Sequence, residues 1–348
     1  MPKVAFSLKT LQSLLWIIRH NEVDTINLYN SITPFVKVAT GGNGNMLNFG
    51  YWSQSKKILD MSPLQAQEEL SVLIGKFGDF QSSHRIIDIG SGFSAPAIQW
   101  KLLYDFLDIV CVNINSQQLS TAAKTLVPLV ATTAKSHIIN ADIDNSIINT
   151  TDAKVRQSVT APIICGDIIS LVNATATTLP FADECVDRIV ALESAQHFKP
   201  LQYFFKESAR ILKPKGLLII AIPVMMGSTG NKISRGSFIQ QFGKLGILYF
   251  SWASEHYTLD NIKSSLRSES LSIKDIQHIG HYVYEPLADY YIQNRKLLKK
   301  TIGDSLSSRT QIISFKIIED IIYRSALKMK SLSQKGIIDY VLIKGMKA

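Results

Sequence analysis

The residues best suited to bind a ligand lie in the stretch 85–96, which reads RIIDIGSGFSAP. A short apolar run contains Asp88 and ends in a Gly90-x-Gly92 turn. This pattern is typical of a strand that turns sharply into a helix, where backbone N–H groups can approach a nucleotide-like ligand. Gly90, Gly92 and Ala95 also fit the dinucleotide fingerprint, so the turn alone leaves NAD and other nucleotides as alternatives.

Asp88 helps to distinguish these ligands. An acid two residues before Gly90 gains nothing from a pyrophosphate, because both groups are anionic. A ligand with an ammonium group and a carboxylate suits the turn better, since the acid can bind the first and the N–H groups the second. S-adenosylmethionine carries both groups, so the residues favour it as the cofactor over NAD.

Two amides follow the next apolar stretch, in VCVNINSQQL at 110–119. Nucleotide sites often place an acid at the end of this strand, where it binds the ribose hydroxyls. Asn113 and Gln118 can make the same hydrogen bonds without charge. The alternative interpretation is that both are ordinary polar residues of a loop.

A pair of titratable residues stands at the end of a third apolar stretch, in ALESAQHF at 191–198. Glu193 and His197 are the candidate catalytic residues, because either can accept a proton from a nucleophile. An ordinary histidine titrates closer to neutral pH, which favours His197 as the general base. The alternative is that His197 only positions the substrate.

The order of apolar runs and amphipathic stretches predicts an α/β fold that positions these residues. Strands are predicted at 85–90, 108–113, 168–174, 186–193, 216–224, 271–280 and 336–345. Helices are predicted from Ser62-Pro63 and at 95–106, 116–130, 200–212, 258–268, 285–302 and 311–330. Apolar strands separated by helices indicate a parallel sheet covered on both faces, with the ligand at the carboxyl ends of the strands.

Six stretches together carry a family resemblance, in the expected order: MLNFGYW, IIDIGSGFS, VNINSQQL, ATTLPF, ALESAQHF and ARILKPKGLLII. They resemble the class I S-adenosylmethionine-dependent methyltransferases. Within that family they are most similar to the branch of sterol, tocopherol, small-natural-product and cyclopropane-fatty-acid-synthase-like enzymes. The resemblance covers about 40–345.

The resemblance implies a Rossmann-like, seven-stranded, mostly parallel sheet with helices on both faces, and it assigns roles to residues. The implied cofactor-binding set is Asp88, Gly90, Ser91, Gly92, Asn113, Ile114, Gln118, Thr175, Ala176 and Glu193. The implied substrate and cover set is Tyr29, Phe49, Tyr51 and Trp52, for which ordinary core packing is the alternative. Ser94 stands where a third glycine is usual, and Thr175 stands where an adenine-binding Asp is often found.

The predicted domain organisation has two parts. Residues 1–62 form an N-terminal helical and aromatic cover, which begins with an amphipathic helix at 1–24 instead of a signal peptide. Residues 63–345 form the methyltransferase domain, with a polar surface insertion near 131–166 and a helical lid near 281–335.

The charge and the cysteine content indicate which partners the protein can bind and in which cellular compartment it lies. The net charge is +9, and the segment 293–348 holds twelve Lys and Arg against four Asp and Glu. Together with the helix at 311–330, this basic C-terminal region predicts either a solvated face or peripheral contact with an anionic membrane. Neither a zinc finger nor an RNP-like aromatic pattern accompanies the charge, which argues against nucleic acid. Three cysteines without metal-like spacing predict no metal site and a cytoplasmic protein.

These observations predict methyl transfer from S-adenosylmethionine to a small-molecule or lipid-like acceptor, on oxygen, nitrogen or carbon. Two alternatives stay open. The first is alkene C-methylation or cyclopropanation of a lipid, and the second is a non-catalytic S-adenosylmethionine-binding protein.

Overall fold

The computed structural model describes residues 22–39, 45–53, 61–133, 163–165, 169–226, 258–303 and 309–348. The chain divides into two compact units. The first, here the helical unit, combines Met1–Glu69, Pro223–Leu259 and His278–Val341. The second, here the sheet unit, combines Leu70–Ile222, Asp260–Gln277 and Leu342–Ala348. The predicted cover and lid thus share a unit, while the domain boundary at 62/63 stays a prediction.

Eight strands form one sheet within the described residues, in the order β3-β4-β2-β1-β5-β6-β8-β7. The strands are β1 (Arg85–Ile89), β2 (Asp108–Asn113), β3 (Ile163–Cys165), β4 (Ile169–Asn173), β5 (Val186–Leu192), β6 (Leu212–Met225), β7 (Leu271–His278) and β8 (Ile338–Lys347). Strand β1 pairs in parallel with β2 on one side and with β5 on the other. The chain therefore reverses its direction of travel across the sheet between β1 and β5, at the point where ligands of such sheets bind.

The predicted mostly parallel fold is confirmed, with one strand more than expected. Pairs β2–β4 and β5–β6 are also parallel, whereas the short β3 runs antiparallel to β4 at the edge. Strand β3 lies in the predicted insertion near 131–166. The rest of that insertion lies outside the described residues, apart from the last turn of a helix that ends at Thr133.

The helices over the described residues are α1 (Glu22–Ala39), α2 (Pro63–Phe77), α3 (Ala95–Leu103), α4 (Ser116–Thr133), α5 (Leu201–Ile211), α6 (Leu259–Ser268), α7 (Gly280–Gly303) and α8 (Arg309–Gln334). The predicted amphipathic helix at 1–24 falls almost entirely outside the described residues. None of the helices in the described ranges is long and apolar enough to cross a membrane.

Burial along the central strands explains why they read as continuous apolar runs. In β1 the four residues from Ile86 to Ile89 are all buried, and in β2 the five from Ile109 to Asn113 are buried. A strand buried on both faces needs helices on both sides, as in a parallel sheet. In strand β7 only Leu271 is buried and the other residues are half-buried or exposed, as expected at an edge.

The Lys-Pro-Lys-Gly segment at 213–216, predicted as a turn before a strand, lies within the bounds of β6. The pairing register shifts there, from Val186 opposite Leu212 to Arg188 opposite Leu217. The four residues therefore bulge out of the ladder, with Lys215 in a left-handed conformation at φ 63°. The chain direction does not reverse, because the strand resumes after the bulge.

Two helix starts show what local sequence can and cannot predict. Helix α2 begins with the expected cap, because Ser62 N donates to Gln65 Oε1 at 2.8 Å and Gln65 N donates to Ser62 Oγ at 3.3 Å. Helix α7 begins at Gly280, five residues before the predicted start. Its first N–H is capped by a distant residue, since Gly280 N donates to Asp339 Oδ1 at 2.9 Å.

We expect Asp339→Ala to lower the free energy of unfolding by about 1–2 kcal/mol, because it removes the cap of α7. Asp339→Asn retains an acceptor oxygen for Gly280 N–H and should cost less. Urea denaturation of both variants measures the difference. Equal losses in the two variants would instead assign the stabilisation to the ion pair between Asp339 Oδ2 and His278 Nδ1, 2.6 Å apart.

A proline inside α7 leaves one backbone carbonyl of the helix available to accept a hydrogen bond from the predicted cover. Pro286 has no N–H, so it cannot bond the carbonyl of Tyr282 four residues earlier. That carbonyl instead accepts a hydrogen bond from Trp52 N at 3.0 Å. The interruption in the helix therefore anchors the aromatic segment within the helical unit.

Candidate functional site

The glycine turn follows β1 in the sheet unit and is held by the neighbouring strand. Gly90 N and Ser91 N both donate to Val112 O, at 2.7 and 3.1 Å. These two N–H groups are thus used within the protein, although we had expected the turn to offer its backbone to a ligand. Gly90 and Gly92 have φ of 76° and 57°, in the region that favours glycine.

Packing within the protein also requires glycine at position 90. A Cβ there would lie 2.3 Å from the Cβ of Ser194. The space beside Gly90 is therefore occupied by a side chain from the segment after β5, and not by the approach of a ligand.

Asp88 is 2% exposed at the end of β1. Burial raises the pKa of its carboxyl to about 7. Among the described residues it has no ion-pair partner. A ligand with an ammonium group at this point would favour the carboxylate, and this is what the α-amino group of S-adenosylmethionine can supply.

The two amides form one bonded pair. Asn113 Nδ2 donates to Gly92 O at 3.1 Å and to Gln118 Oε1 at 2.9 Å. Gln118 is 6% exposed, and its Nε2 is buried without a hydrogen-bond partner in the described structure. A buried amide donor without a partner costs free energy unless a ligand accepts from it. The residues therefore fit a ribose hydroxyl as the acceptor.

We expect Gln118→Leu to weaken S-adenosylmethionine binding about tenfold, because it removes one hydrogen bond worth about 1–1.5 kcal/mol. Gln118→Glu keeps oxygens that can accept from ribose hydroxyls and should bind the cofactor nearly as well as the unmodified protein. Calorimetric titration compares the two variants. Unchanged affinity in Gln118→Leu would show that the amide does not face the ribose.

Asn173, at the end of β4, was not identified from the sequence. Its Nδ2 donates to Asn113 O at 2.8 Å and to Ile114 O at 3.0 Å. It thereby fixes the backbone of the predicted ribose-binding turn. Its position directly after an apolar strand and before ATTLPF was the available signal.

The predicted adenine-binding residues lie in the turn that follows Asn173. Thr175 Oγ1 is 3.0 Å from Thr177 Oγ1 and accepts a hydrogen bond from Thr177 N at 3.3 Å. Ala176 is 7% exposed. Thr175 therefore stabilises its own turn, and its contact with adenine stays a prediction.

Glu193 and His197 lie directly after β5, next to the glycine turn in the topology. Glu193 has a left-handed backbone at φ 50°, and its N–H donates to Ala221 O at 2.9 Å. His197 ends a short 3-10 turn over Ala195–His197 and its N–H donates to Ser194 O at 2.9 Å. The structure thus places both candidates at the carboxyl edge of the sheet.

Ser94, the residue in place of a third glycine, also has a left-handed backbone, at φ 58°. It is fully buried, and its Oγ lies 3.2 Å from Ser91 Oγ. The hydroxyl thus joins the glycine turn to the start of α3.

The predicted cover residues lie in the helical unit. Trp52 is 1% exposed and packs in a core cluster with Met61 and Ala66. Phe49 makes edge contacts with the rings of Tyr284 and Tyr340, at centroid distances of 5.6 and 6.3 Å. For these two side chains the placement favours core packing.

The other two predicted cover residues are half-buried. Tyr51 packs against Tyr282 at 5.4 Å, and burial, then Tyr282 and Glu69, raise the pKa of its phenol. Tyr29 lies on α1. Their contact with substrate stays a prediction.

The cysteines and the potential metal-binding side chains form no further site among the described residues. The Cys111 thiol is buried, which raises its pKa, and Cys185 is half-buried; both are free. Cys165 lies in β3, and its side chain is outside the description. Within the described ranges, no group of three or more His, Cys, Asp or Glu side chains could hold a metal ion.

Comparison with known proteins agrees with this geometry. A family model for a methyltransferase domain matches residues 125–220. Erythromycin 3''-O-methyltransferase of Saccharopolyspora erythraea is 24% identical over 269 residues, which cover 76% of this chain and 73% of that enzyme. The 27-O-demethylrifamycin SV methyltransferase of Amycolatopsis mediterranei is 20% identical over 239 residues, 69% of this chain and 71% of that one.

Solved structures share the fold at low sequence identity. A mycolic acid cyclopropane synthase, solved with S-adenosylhomocysteine, is 14% identical and superposes with a TM-score of 0.63, over 96% of this chain and 98% of that one. At this level of identity the likeness concerns the fold.

Proposed function

The chain is a class I S-adenosylmethionine-dependent methyltransferase, and from this premise we propose that it methylates a hydroxyl oxygen of a small-molecule or lipid-like acceptor. The observation that carries the choice of oxygen is the similarity to the two methyltransferases described above, since both are named for methylation of an oxygen. A hydroxyl must lose its proton during the transfer, and His197, in the turn after β5, is the proposed base.

The chain's own residues would divide the work between binding and proton transfer. When bound, S-adenosylmethionine supplies a methyl group on a sulfonium, which needs no further activation. Asp88 holds the ammonium end, while Asn113 and Gln118 hold the ribose and so fix the direction of the methyl group. The imidazole of His197 accepts the hydroxyl proton, and Glu193 contributes to the polar edge beside it.

The test is incubation with methyl-labelled S-adenosylmethionine and a fractionated extract of the native cell. We expect a labelled product in which the methyl group is an ether on oxygen. A label on carbon would support alkene C-methylation or cyclopropanation instead. Cofactor binding without product from any fraction would support the non-catalytic alternative, and absence of binding would contradict all three functions.

We also propose peripheral contact with an anionic membrane, through the C-terminal half of α7. Ile292 and Leu297 are 48% and 62% exposed on this helix. Exposed Lys296 and Lys300 lie on the same face, and the segment from Gln293 to Gly303 has no acidic residue. Lysines around exposed apolar side chains suit the headgroup region of a membrane. The free thiols are consistent with a cytoplasmic location.

Vesicle flotation tests this contact with phosphatidylcholine alone and with added phosphatidylserine. The double variant Lys296→Glu/Lys300→Glu should lower binding to the anionic vesicles at least about tenfold, since each lysine contributes about 1 kcal/mol. Lys274→Glu, an exposed lysine on β7, is the matched control and should bind normally. Equal binding of all three proteins would contradict the proposal.

A further inference from the structure

Ser194 stands where two segments of the candidate site meet within the sheet unit. Its side chain is buried at 5% exposure, and its Oγ donates to Ile89 O at 2.5 Å. Ile89 is the last residue of β1 and directly precedes Gly90. Ser194 therefore bonds the carbonyl that leads into the glycine turn.

Ser194 also limits which residue can follow Ile89. A Cβ at position 90 would lie 2.3 Å from Ser194 Cβ and 2.9 Å from Ser194 Oγ. The first distance is too short for two non-bonded carbon atoms, and a Cβ cannot move away as the end of a flexible side chain can. Ser194 therefore fills the space in which a side chain at residue 90 would lie, and the hydrogen bond to Ile89 O joins it to the start of the glycine turn.

Ser194 also sets the geometry of the segment that follows β5. Its carbonyl accepts from His197 N at 2.9 Å and so closes the 3-10 turn. The preceding residue, Glu193, has the left-handed backbone, and its carbonyl accepts from Gln196 Nε2 at 2.6 Å. Movement of Ser194 is thus passed to both candidate catalytic residues.

We infer that Ser194 is a positioning residue, which couples occupation of the cofactor site at the glycine turn to the orientation of Glu193 and His197. This inference rests on the proposed cofactor site but does not depend on the identity of the acceptor. The coupling keeps the base in its working orientation when the methyl donor is in place. It is distinct from binding, because Ser194 need not touch the cofactor.

Nuclear magnetic resonance of the histidine rings can detect the coupling without a known acceptor. The chain has 7 histidines, and loss of one signal in His197→Gln identifies the resonance of His197. In the unmodified protein, S-adenosylhomocysteine should shift that resonance. In Ser194→Ala the ligand should still bind within about threefold of the normal affinity, because no ligand contact is lost, while the shift should fall to about half or less.

Ser208→Ala is the matched control. Ser208 is also fully buried, and its Oγ donates to a backbone carbonyl, that of Phe204, at 2.8 Å within α5. The ligand should shift the His197 resonance normally in this variant, even if the protein is less stable. An equal shift in Ser194→Ala and the unmodified protein would overturn the inference. Failure of the unmodified protein to bind S-adenosylhomocysteine would instead contradict the proposed cofactor site.

A double-mutant cycle tests the steric contact independently of the ligand. Gly90→Ala should lower the unfolding midpoint in urea, both through its backbone conformation and through the contact with Ser194. In a Ser194→Gly background the contact is absent and only the backbone effect remains, so the loss should be clearly smaller. Equal losses in the two backgrounds would show that the two residues are not coupled.

Discussion

Replacing Asp88 with Asn is expected to weaken cofactor binding strongly and, at the same time, to stabilise the unliganded protein above pH 7. The first effect follows because a neutral amide cannot pair with the ammonium group of S-adenosylmethionine. We expect a loss of at least about 100-fold in affinity, in line with removal of one buried charge partner worth about 3 kcal/mol. The second effect follows from the burial of the carboxyl.

The sign of the stability effect follows from the raised pKa. Burial raises the pKa of Asp88 to about 7 in the folded protein, from an ordinary value of 3.8. Between about pH 4 and pH 7 the folded chain therefore holds a proton that the unfolded chain has lost, and stability falls as the pH rises. A difference of about 3 in pKa corresponds to about 4 kcal/mol. Asn cannot ionise and so avoids this loss of stability, although burial of its polar amide offsets part of the stabilisation.

Urea denaturation at pH 5 and pH 8, with calorimetric titration of S-adenosylmethionine, measures both effects. In the unmodified protein, cofactor affinity should also rise as the pH increases through 7, because the carboxylate is the binding form. Unchanged affinity in Asp88→Asn would remove this residue from the cofactor site.

Asp187→Asn is a control with the opposite expected sign. Burial works to raise the pKa of Asp187, but hydrogen bonds from Arg85 N, Lys213 Nζ and His84 N outweigh it and lower the pKa. Its carboxylate therefore stabilises the fold above about pH 4, and that stabilisation is lost as the pH falls. Asp187→Asn should destabilise the protein at pH 8 and leave cofactor binding unchanged.

Replacing His197 with Gln is expected to lower kcat by about 10²–10⁴, the usual contribution of a general base. The dissociation constant of the cofactor should change little, since the proposed role is in proton transfer. Steady-state kinetics on the acceptor found with labelled cofactor, together with calorimetry, separates these effects. Added imidazole should restore part of the rate if the lost function is that of a base.

His84→Gln serves as the matched control for His197, because the His84 side chain is exposed and only its backbone N–H and carbonyl are used in described contacts. Its activity should be normal. If His197→Gln keeps full activity, the acceptor proton leaves by another route, and Glu193 becomes the next candidate to replace.

The central sheet could be predicted because its signals are local. Strands buried on both faces appear as apolar runs, and the predicted strand at 108–113 agrees with β2 at both ends. The cap of α2 was equally readable, since Ser62 and Gln65 lie three residues apart. The start of α7 was not, because its cap comes from Asp339, which is 59 residues away along the chain.

Pro286 is a second case in which a contact distant in sequence decides the local structure. A proline in a helical pattern normally lies in the first turn, and the helix was predicted to start at 285. In the structure the helix runs through Pro286, because Trp52 N satisfies the carbonyl that the proline leaves without a partner. Local sequence contains no sign of that distant donor.

Within the site, residue types were readable from the motifs, but the contacts between them were not. Asp88 and Asn113 stand out because polar groups at the ends of apolar strands are unusual, and Gln118 stands out because it follows Asn113 by five residues. Asn173 and Ser194 act on the backbone of other segments, at separations of 60 and 105 residues. Such contacts depend on strand order, which the apolar pattern alone does not specify.

The position of β8 in the sheet has a consequence for synthesis of the chain on the ribosome. Strand β8 is the last of the eight strands to be translated, yet it lies between β6 and β7. Until it emerges, β6 has an unpaired edge, and β7 has no strand beside it. The segment from Asp88 to His197 can assemble earlier, so the nascent protein passes through a stage in which its cofactor-binding elements are complete while an apolar strand edge is still open. Such an edge is prone to pair with other chains, so this interval is the one in which a chaperone is most needed.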